Sequence, residues 1–568
     1  MVKRFFPVGG GRGGRRLGAL SLTVAMCLGS AQAVVAAPGD LPLGLSAPVL
    51  QQLEGLGREK ASRTPAQRKI NSQLLYLIRQ RRGPAADSVP DGLPNLRIDL
   101  ERDQTGRVLV DIKARITPAL ETRLAEGGAR VLVRLPAYDF VRAWVGIEQL
   151  EPLAQLPEVQ SIAPATPAIT NRTAPSPESA PVPEARRARV RAGLRALIAQ
   201  AEGVSTQTGT VTSQGDVAHR ADSARSSFGV NGAPVKIGVL SDSFNCLGGA
   251  ANDIATGNLP AAGVTVLQEF DAVQGSCAGA IDEGRAMLQI VHDLAPGASL
   301  FFATAFGGTA NFASNIRALR DAGCAVIIDD VFYFNEAPFQ DDVVARAVND
   351  VVATGVAYFS SAGNQGNLTQ NTSGTWEGDF LSGGTVTIGA VPVGTAHSYG
   401  TTIFNIVGGS AAVPAYLFWS DPLDGSANDY DLYVINAAGT TVVAASTNLQ
   451  SGAQDPLEFV STVFPSEQLL IVRSNRPASA AQPRFLHLNA IRGRLSQTTS
   501  GNIRGHAAAV GAFAVAATNV GTAGGGPFTG GSANPIESFS SDGLRRVFYN
   551  ADGTAITPGN FLATGGTV

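Results

Sequence analysis

The pattern of hydrophobic and polar positions changes near residue 231. From there, continuous apolar runs such as "VKIGVL", "ASLFFATA" and "CAVIIDD" alternate with amphipathic stretches such as "DEGRAMLQIVHD" and "DDVVARAVNDVVATG". Continuous apolar runs are typical of strands buried on both faces, and the stretches between them have the period of helices. The pattern therefore predicts an α/β domain, with a parallel sheet covered by helices on both faces.

Residues 382–500 interrupt this alternation. Short strand-like stretches such as "AYLFWSDP", "DYDLYVINAAGTTVVAAS" and "QLLIVRS" follow one another, separated by turn residues. They predict an inserted antiparallel β-sandwich. The stretch "AAAVGAFAVAATN" at 507–519 then resumes the α/β pattern, so we expect one domain over 231–568 with an insertion at 382–500.

A smaller α+β module is predicted over residues 45–165. "NSQLLYLIRQRR" has helical periodicity, and "RVLVDIKARI", "TPALETRLAEGG" and "ARVLVRLPAY" indicate a strand, a helix and a strand. Residues 166–230 combine a Pro/Ser-rich stretch, "TAPSPESAPVPEA", with the Arg-rich amphipathic stretch "RRARVRAGLRALIAQAE". We interpret 166–230 as a linker followed by an exposed helix.

The first 37 residues have the pattern of a secretory signal. Five basic residues precede the apolar run "LGALSLTVAMCLG" and the small-residue stretch "SAQA". The apolar run is too short to span a bilayer, and no later stretch is long enough, so we expect no membrane-embedded part. The sequence predicts export to the cell exterior or the periplasm.

Charge is unevenly distributed along the chain. Residues 1–37 and 38–230 each carry a net charge of +5, which leaves −13 on residues 231–568. An acidic body argues against binding to nucleic acid and favours attraction between the two parts of the chain. The alternative is that the acidic surface only keeps an exported protein in solution.

Three cysteines remain once the signal is removed. Cys246 and Cys277 flank a Gly/Ala-rich stretch, and Cys324 lies further along the chain. An oxidising compartment permits a Cys246–Cys277 bridge, but three free buried thiols fit the sequence equally well.

Polar residues stand where predicted strands end or helices begin. Asp242 follows "VKIGVL", Asp329 and Asp330 end "CAVIIDD", and Asn364 follows "VAYFSSAG". Glu283 opens a helix, where the helix dipole favours an anion. Reactive groups of parallel sheets gather beyond the carboxyl ends of the strands, so these residues are candidates for one site. For Asp329 and Asp330 we favour the alternative of capping the strand end.

Four of these stretches resemble the subtilisin–sedolisin superfamily of serine peptidases. They are "VKIGVLSDSFN", "DEGRAMLQIVHDLAPGA", "GVAYFSSAGNQG" and "VAATN…IESFSSDG", and the resemblance covers about 231–386 and 505–568. It implies that Asp242 orients the base and that Asn364 donates to the oxyanion. Glu283 stands where subtilisins have histidine, as in the sedolisins. Each residue also has a simpler interpretation. In it, Asp242 caps a turn, Asn364 is a left-handed turn residue, and Glu283 is only a charge at the start of a helix.

The sequence departs from the sedolisin pattern at two positions. Met287 stands where sedolisins carry an Asp on the same helix face, and Asn364 stands where they carry an oxyanion Asp. We therefore expect Glu283 to share a proton with Asp242, which would make a carboxylate a usable base in mildly acidic conditions. His292 lies on the opposite face of the helix from Glu283 and is not a candidate base.

The nucleophile of the superfamily lies in a "GTSxAxP" turn that opens a long helix. No such stretch follows Ser540, and we expect the serine to lie beyond Val568. Ser410 precedes Pro414 with similar spacing, but it lies before the "FSSDG" stretch and leads into an aromatic strand, so we exclude it.

The resemblance also gives the other parts of the chain a role. Residues 45–165 are expected to act as an intramolecular inhibitor and folding aid, with an independent binding module as the alternative. Asp429 and Asp431 share a strand face and are weak candidates for binding Ca²⁺, although exposed strand polarity explains them more simply. The chain is thus predicted to be a secreted serine endopeptidase that acts on protein or peptide substrates and requires no cofactor. The alternative is a catalytically inactive, exported binding protein with a peptidase-like fold.

Overall fold

The computed structural model describes residues 44–82, 93–171, 209–388, 391–475 and 482–568. The predicted signal at 1–37 and the Arg-rich stretch at 186–202 lie outside the described residues.

The N-terminal part is a small α+β unit. Its helices are α1 (Ala47–Ser62), α2 (Ser72–Arg82), α3 (Pro118–Glu126) and α4 (Leu150–Ala154). Its strands are β1 (Val108–Ala114), β2 (Arg130–Leu135), β3 (Phe140–Val145) and β4 (Val159–Pro164), in the antiparallel order β2-β3-β1-β4. Alternation along β1 turns Val108, Val110 and Ile112 inward, where they form a core with side chains of α2 and α3. A short strand, β5 (Ala168–Thr170), follows β4 and does not belong to this sheet.

A six-stranded parallel sheet lies at the centre of the chain. Its strands are β6 (Lys236–Ser241), β7 (Thr265–Gln268), β8 (Ser299–Thr304), β9 (Val326–Asp329), β11 (Ala357–Ser361) and β23 (Ala512–Val515). Their order is β23-β11-β9-β6-β8-β7. The small strand β10 (Val331–Tyr333) follows β9 and pairs with β5 instead.

Helices cover both faces of this sheet. In chain order they are α5 (Gly215–Ala218), α6 (Ala221–Phe228), α7 (Ala250–Ala255), α8 (Asp271–Gln274), α9 (Glu283–Leu294), α10 (Thr309–Asp321) and α11 (Val343–Val352). Neighbouring residues of β6 point to opposite faces, so that Val239 packs with α9 and Leu240 packs with α10. This architecture confirms the predicted fold class, a mixed α/β fold built on a parallel sheet.

The insertion consists of two antiparallel sheets. Its strands are β12 (Thr375–Asp379), β13 (Ser382–Ile388), β14 (Val391–His397), β15 (Asn405–Gly408), β16 (Val413–Trp419), β17 (Tyr430–Ile435), β18 (Val442–Ser446), β19 (Leu457–Val463), β20 (Gln468–Ser474), β21 (Phe485–Ala490) and β22 (Arg494–Leu495). One sheet has the order β12-β21-β16-β19, and the other contains β13-β14-β20-β15-β22 with β17 and β18 attached. Side chains such as Leu417, Trp419, Leu432 and Ile471 form a core between the sheets.

A disulfide joins two loops at the carboxyl edge of the parallel sheet. It links Cys246 and Cys277, whose Cα atoms are 5.3 Å apart, while Cys324 is a free, buried thiol. The bridged alternative from the sequence is therefore the one observed. The bond ties the loop that follows β6 to the loop that precedes α9.

Helix α1 packs against the β-sandwich through a buried ion cluster. Lys60 Nζ lies 2.6 Å from Asp429 Oδ1 and 2.8 Å from Asp431 Oδ1, and all three side chains are buried. Burial alone would lower the pKa of Lys60, but the neighbouring carboxylates raise it, so the ammonium group keeps its charge. The expectation that Asp429 and Asp431 are exposed strand residues is therefore wrong, because both are buried against a lysine of the N-terminal unit.

Candidate functional site

Three predicted residues converge at the carboxyl edge of adjacent strands. Asp242 follows β6, and Asn364 lies in the loop after β11. Glu283 is the first residue of α9, which packs beside β6 and β8. The order β11-β9-β6 places these three positions around the end of β9. The structure thereby brings the three candidate residues to one edge of the sheet.

Asp242 holds the start of α9. Its carboxylate accepts hydrogen bonds from the backbone N–H of Glu283 at 2.9 Å, from the backbone N–H of Ile281 at 2.6 Å and from the hydroxyl of Ser243 at 2.9 Å. The expected proton-sharing pair of Asp242 with the Glu283 carboxyl is therefore not the arrangement observed. Asp242 positions Glu283 through the backbone, because its oxygens already serve these three donors.

The carboxyl partner of Glu283 is Asp330, which directly follows β9. The two carboxyl groups hydrogen-bond to each other, a contact that acts to raise the pKa of Glu283 and to lower that of Asp330. The side chain of Thr170 also hydrogen-bonds to Glu283. Glu283 Oε2 is buried and receives no hydrogen bond from an N–H or O–H group of the described residues, so an acceptor remains for a further hydroxyl.

This pair retains a proton near neutral pH. Burial raises the pKa of Glu283 to about 7, although the hydrogen bond with Thr170 acts to lower it. The negative charges of Asp330 and Asp242 also raise this pKa. Burial also raises the pKa of Asp330, although hydrogen bonds from Ser361 and Asn171 oppose it. Two close carboxyl groups that titrate together are the arrangement in which one acts as a base while the other holds a proton.

Asn364 donates to a peptide carbonyl of the chain itself. Its Nδ2 hydrogen-bonds to the backbone oxygen of Asn171, the residue after β5. Strand β5 lies antiparallel to β10, with Thr170 opposite Val331. The backbone carbonyl of Asn171, in an extended segment, thus accepts a hydrogen bond from the side-chain amide of Asn364, which is the residue that the resemblance predicts to stabilise an oxyanion.

The loop of Asn364 is fixed by a distant part of the sequence. Gly363 has a φ of +87°, a conformation that favours glycine, and its carbonyl accepts a hydrogen bond of 3.0 Å from the backbone N–H of Ser541. The hydroxyl of Ser541 in turn accepts from the backbone N–H of Gln365 at 3.0 Å. The "FSSDG" stretch therefore holds the loop of Asn364 in place.

The β-sandwich also contributes a residue to this edge. Arg492, between β21 and β22, donates from Nη2 to the backbone oxygen of Thr170 at 2.8 Å. Burial lowers the pKa of Arg492, while Asp330 and Glu283 act in the opposite direction. Its guanidinium group is the positive charge beside the carboxyl pair.

Asp329 belongs to a separate, buried cluster. Its Oδ1 accepts from Ser360 Oγ at 2.9 Å and lies 3.1 Å from His506 Nε2, and His506 Nδ1 lies 2.8 Å from Glu336. Burial would lower the pKa of His506, but the two carboxylates raise it well above its usual range. Ser360 Oγ also lies 3.1 Å from His506 Nε2, but two carboxylates keep the buried His506 protonated, so it cannot accept the proton of Ser360 as the base of a catalytic triad would.

Three residues of this site are not candidates from the sequence: Asn171 lies in the predicted linker, Ser361 has no role in the resemblance although it lies in "GVAYFSSAGNQG", and Arg492 has no recognisable motif. Asp330 is a candidate from the sequence, with capping of the strand end as the favoured alternative. Only Asp330 carried a usable signal, since it follows a buried strand at the same edge as Asp242 and Asn364.

We expect the Asp330→Asn substitution to lower the pKa of Glu283 from about 7 by about one unit or more, because it removes a like charge beside Glu283. The measurement is a ¹³C NMR titration of labelled glutamate, with the signal assigned from the Glu283→Gln spectrum. Asp321→Asn, at an exposed position, should leave the titration unchanged. An unshifted titration in Asp330→Asn would contradict the pairing.

Comparisons with known proteins give fold-level likenesses only. No family model matches the chain, and no curated protein matches it. Three similar solved structures are the CspB protease of Clostridium perfringens, the epidermin leader peptide processing serine protease EpiP of Staphylococcus aureus, and fervidolysin of Fervidobacterium pennivorans, a keratinolytic enzyme related to subtilisin.

The extent of these likenesses is modest. For CspB the identity is 11%, the match covers 60% of this chain and 77% of that chain, and the TM-score is 0.33. For EpiP the identity is 12%, the match covers 46% of this chain and 61% of that chain, and the TM-score is 0.28. For fervidolysin the identity is 10%, the match covers 70% of this chain and 78% of that chain, and the TM-score is 0.26. At these values, the chemistry of the site has to be derived from the residues of this chain.

Proposed function

We propose that this protein is a secreted serine-type endopeptidase of the subtilisin–sedolisin superfamily, with a Glu283–Asp330 carboxyl pair as its base. The hydrogen bond from Asn364 Nδ2 to the backbone carbonyl of Asn171 supports this proposal most directly. It places a peptide carbonyl beside an amide donor, while the neighbouring Thr170 contacts Glu283. Carbonyl, oxyanion donor and base are three of the groups that acyl transfer requires in one place, and the nucleophile is the fourth.

The proposed reaction assigns one task to each residue. A serine hydroxyl transfers its proton to the Glu283 carboxylate while its oxygen bonds to the peptide carbonyl carbon, and Asn364 stabilises the oxyanion. In this step Asp330 holds the one proton that the pair shares, which leaves Glu283 free to accept the proton of the serine, and Asp242 fixes the helix that carries Glu283. Glu283 then protonates the leaving amine, the C–N bond breaks, and water releases the acyl group.

The serine is proposed to come from a segment outside the described residues. Ser361 already hydrogen-bonds to the side-chain amide of Asn171, and Ser410 lines a cavity of about 500 Å³ with Asn364 but leads into β16 instead of a helix. Phe513 and Val515 of the edge strand β23 are exposed to 59% and 53%. These side chains offer an apolar surface beside β11 on which such a segment can pack.

Export is the proposed destination of this protein. The signal-like residues 1–37 support it, and they lie outside the described part of the chain. Within the described ranges, no helix has both the length and the apolar character needed to cross a bilayer.

One observation favours the alternative of an inactive, exported binding protein. Within the described residues, the hydrogen bond that the Asn171 carbonyl accepts comes from Asn364, and no serine hydroxyl bonds to it. A site of this kind would hold a peptide without cutting it. The binding protein would have no reactive serine, whereas the peptidase requires one.

A fluorophosphonate probe decides between them. We expect the protein expressed from its complete gene to be labelled at one serine, identified by peptide mass spectrometry, because these probes react only with an activated serine hydroxyl. Glu283→Gln should lose the labelling. An unlabelled parent protein, or a label on Ser410, would contradict the proposed catalytic arrangement.

A further inference from the structure

Residues 168–171 lie in the candidate site as an extended segment. Strand β5 pairs with β10 in antiparallel register, with Ala168 opposite Tyr333 and Thr170 opposite Val331. Arg492 donates to the backbone oxygen of Thr170 at 2.8 Å. A main-chain ladder and an arginine therefore set the register of this segment, so that one particular carbonyl, that of Asn171, reaches Asn364.

The side chain of Asn171 fills a polar recess that matches a carboxamide. Its Nδ2 donates to Asp330 Oδ1 at 2.9 Å and to Ser361 Oγ at 2.6 Å. Its Oδ1 accepts from Arg492 Nη2 at 3.5 Å, and only 9% of the residue is exposed. Both N–H donors and the carbonyl oxygen of the amide thus face complementary groups.

Other side chains of similar size fit this recess poorly. Aspartate would place a carboxylate against Asp330 and beside Glu283, where like charges repel. Leucine would remove the donor to Ser361 Oγ and one of the donors to Asp330, and a buried polar group that loses a hydrogen bond is costly. Glutamine is longer by one methylene and would displace either the amide or the backbone carbonyl.

Self-processing is expected of a peptidase of this superfamily, and we infer that Asp330, Ser361 and Arg492 select asparagine, here Asn171, at the residue whose carbonyl is attacked. This inference rests on the proposed peptidase function. In the net reaction, the C–N bond after Asn171 breaks, the oxygen of water bonds to the carbonyl carbon, and a proton passes to the released amine. Protein substrates cut in trans would share the asparagine requirement.

The first experiment follows cleavage within the chain. The protein is expressed from its complete gene, and intact mass and N-terminal sequencing identify the fragments. We expect one fragment to end at Asn171 and the other to begin at the next residue, in a reaction that Glu283→Gln abolishes. Asn171→Leu and Asn171→Asp should slow this cleavage by at least about 100-fold, because a site built to hydrogen-bond a group rejects analogues that lack it. Asn252→Leu, at an exposed helix position, is the matched control and should cleave normally.

The second experiment works even if a variant at position 171 does not fold. The parent protein is given quenched fluorescent peptides with the sequence of residues 166–175, carrying Asn, Asp, Gln or Leu at the position of Asn171. We expect kcat/KM to be highest for Asn and at least about 100-fold lower for Leu. Ser361→Ala should reduce the preference for Asn over Leu by about tenfold, because it removes one acceptor.

The outcomes separate this inference from the proposed function. Cleavage after Asn171 with a preference for asparagine in trans supports both. Cleavage that depends on Glu283 but occurs elsewhere, or proceeds equally with leucine, overturns the asparagine inference and leaves the peptidase standing. No cleavage of the chain and none of any peptide overturns the peptidase, and the inference with it.

Discussion

Replacing Glu283 by glutamine is expected to lower kcat for peptide-bond cleavage by about a thousandfold, with little change in KM. Glutamine keeps the size and hydrogen-bonding shape of the protonated carboxyl group but cannot accept the proton of a serine hydroxyl, and a general base contributes about 10²–10⁴-fold. Asn364 and the β10 ladder still bind the peptide, which is why KM should change little. The measurement is steady-state hydrolysis of an asparagine-containing peptide.

The folded state should tolerate this substitution. The pKa of Glu283 is raised from 4.5 to about 7, so the folded protein binds this proton more tightly than the unfolded chain does. The stability that this proton contributes is complete below pH 4.5 and is lost as the pH rises through about 7. The parent should therefore lose melting temperature over this range, and Glu283→Gln should lose less.

Glu126→Gln is the matched control for activity. Glu126 lies at the exposed end of α3, and its substitution should leave kcat unchanged. If Glu283→Gln retained more than about a tenth of the parent's kcat, Glu283 could not be the general base, because the loss would fall below the range of that mechanism.

The Lys60→Met substitution is expected to destabilise the protein by about 3–5 kcal/mol. It removes the ammonium group between Asp429 and Asp431 and leaves two buried carboxylates without the positive charge that compensates them. The pKa of Asp429 is already raised to about 6 by burial, despite the opposing effect of Lys60. Acidification should therefore restore part of the lost stability, since the uncompensated Asp429 carboxylate becomes neutral. Chemical denaturation at pH 5 and pH 7.5 measures both effects.

Two further variants show whether the loss comes from the buried charges. Lys60→Met combined with Asp429→Asn and Asp431→Asn removes all three charges and should recover most of the stability. Lys113→Met breaks the ion pair with Asp424, in which the two side chains are 38% and 59% exposed, and should cost less than about 1 kcal/mol. An equal loss in Lys60→Met and Lys113→Met would show that burial of the cluster is not what matters.

The central sheet was predictable because its strands carry a local signal. "KIGVLS" and "SLFFAT" are apolar over most of their length, as strands covered on both faces must be. The order of strands was not predictable in the same way, because β23 joins β11 after an insertion of more than a hundred residues. Local periodicity contains no information on which edge a returning strand will extend.

The candidate site was only partly predictable for a similar reason. Asp329 and Asp330 are adjacent in sequence, but side chains in a strand alternate between faces, so one meets His506 in the interior and the other meets Glu283. The sequence identifies the pair of positions without deciding which residue faces the site. Asn171 and Lys60 reach their partners across 159 and 369 residues, and no spacing rule predicts such contacts.

The pairing of β5 with β10 also determines how any other peptide reaches this edge of the sheet. Because β5 belongs to the same chain and follows β4 after a short connection, it meets β10 at an effective concentration on the order of millimolar. A free peptide must be present at a comparable concentration, or bind more tightly, to displace it. If the chain is cut after β5, the strand still belongs to the N-terminal unit, which Lys60 helps to hold on the β-sandwich. The high effective concentration of β5 is therefore lost only when that unit dissociates.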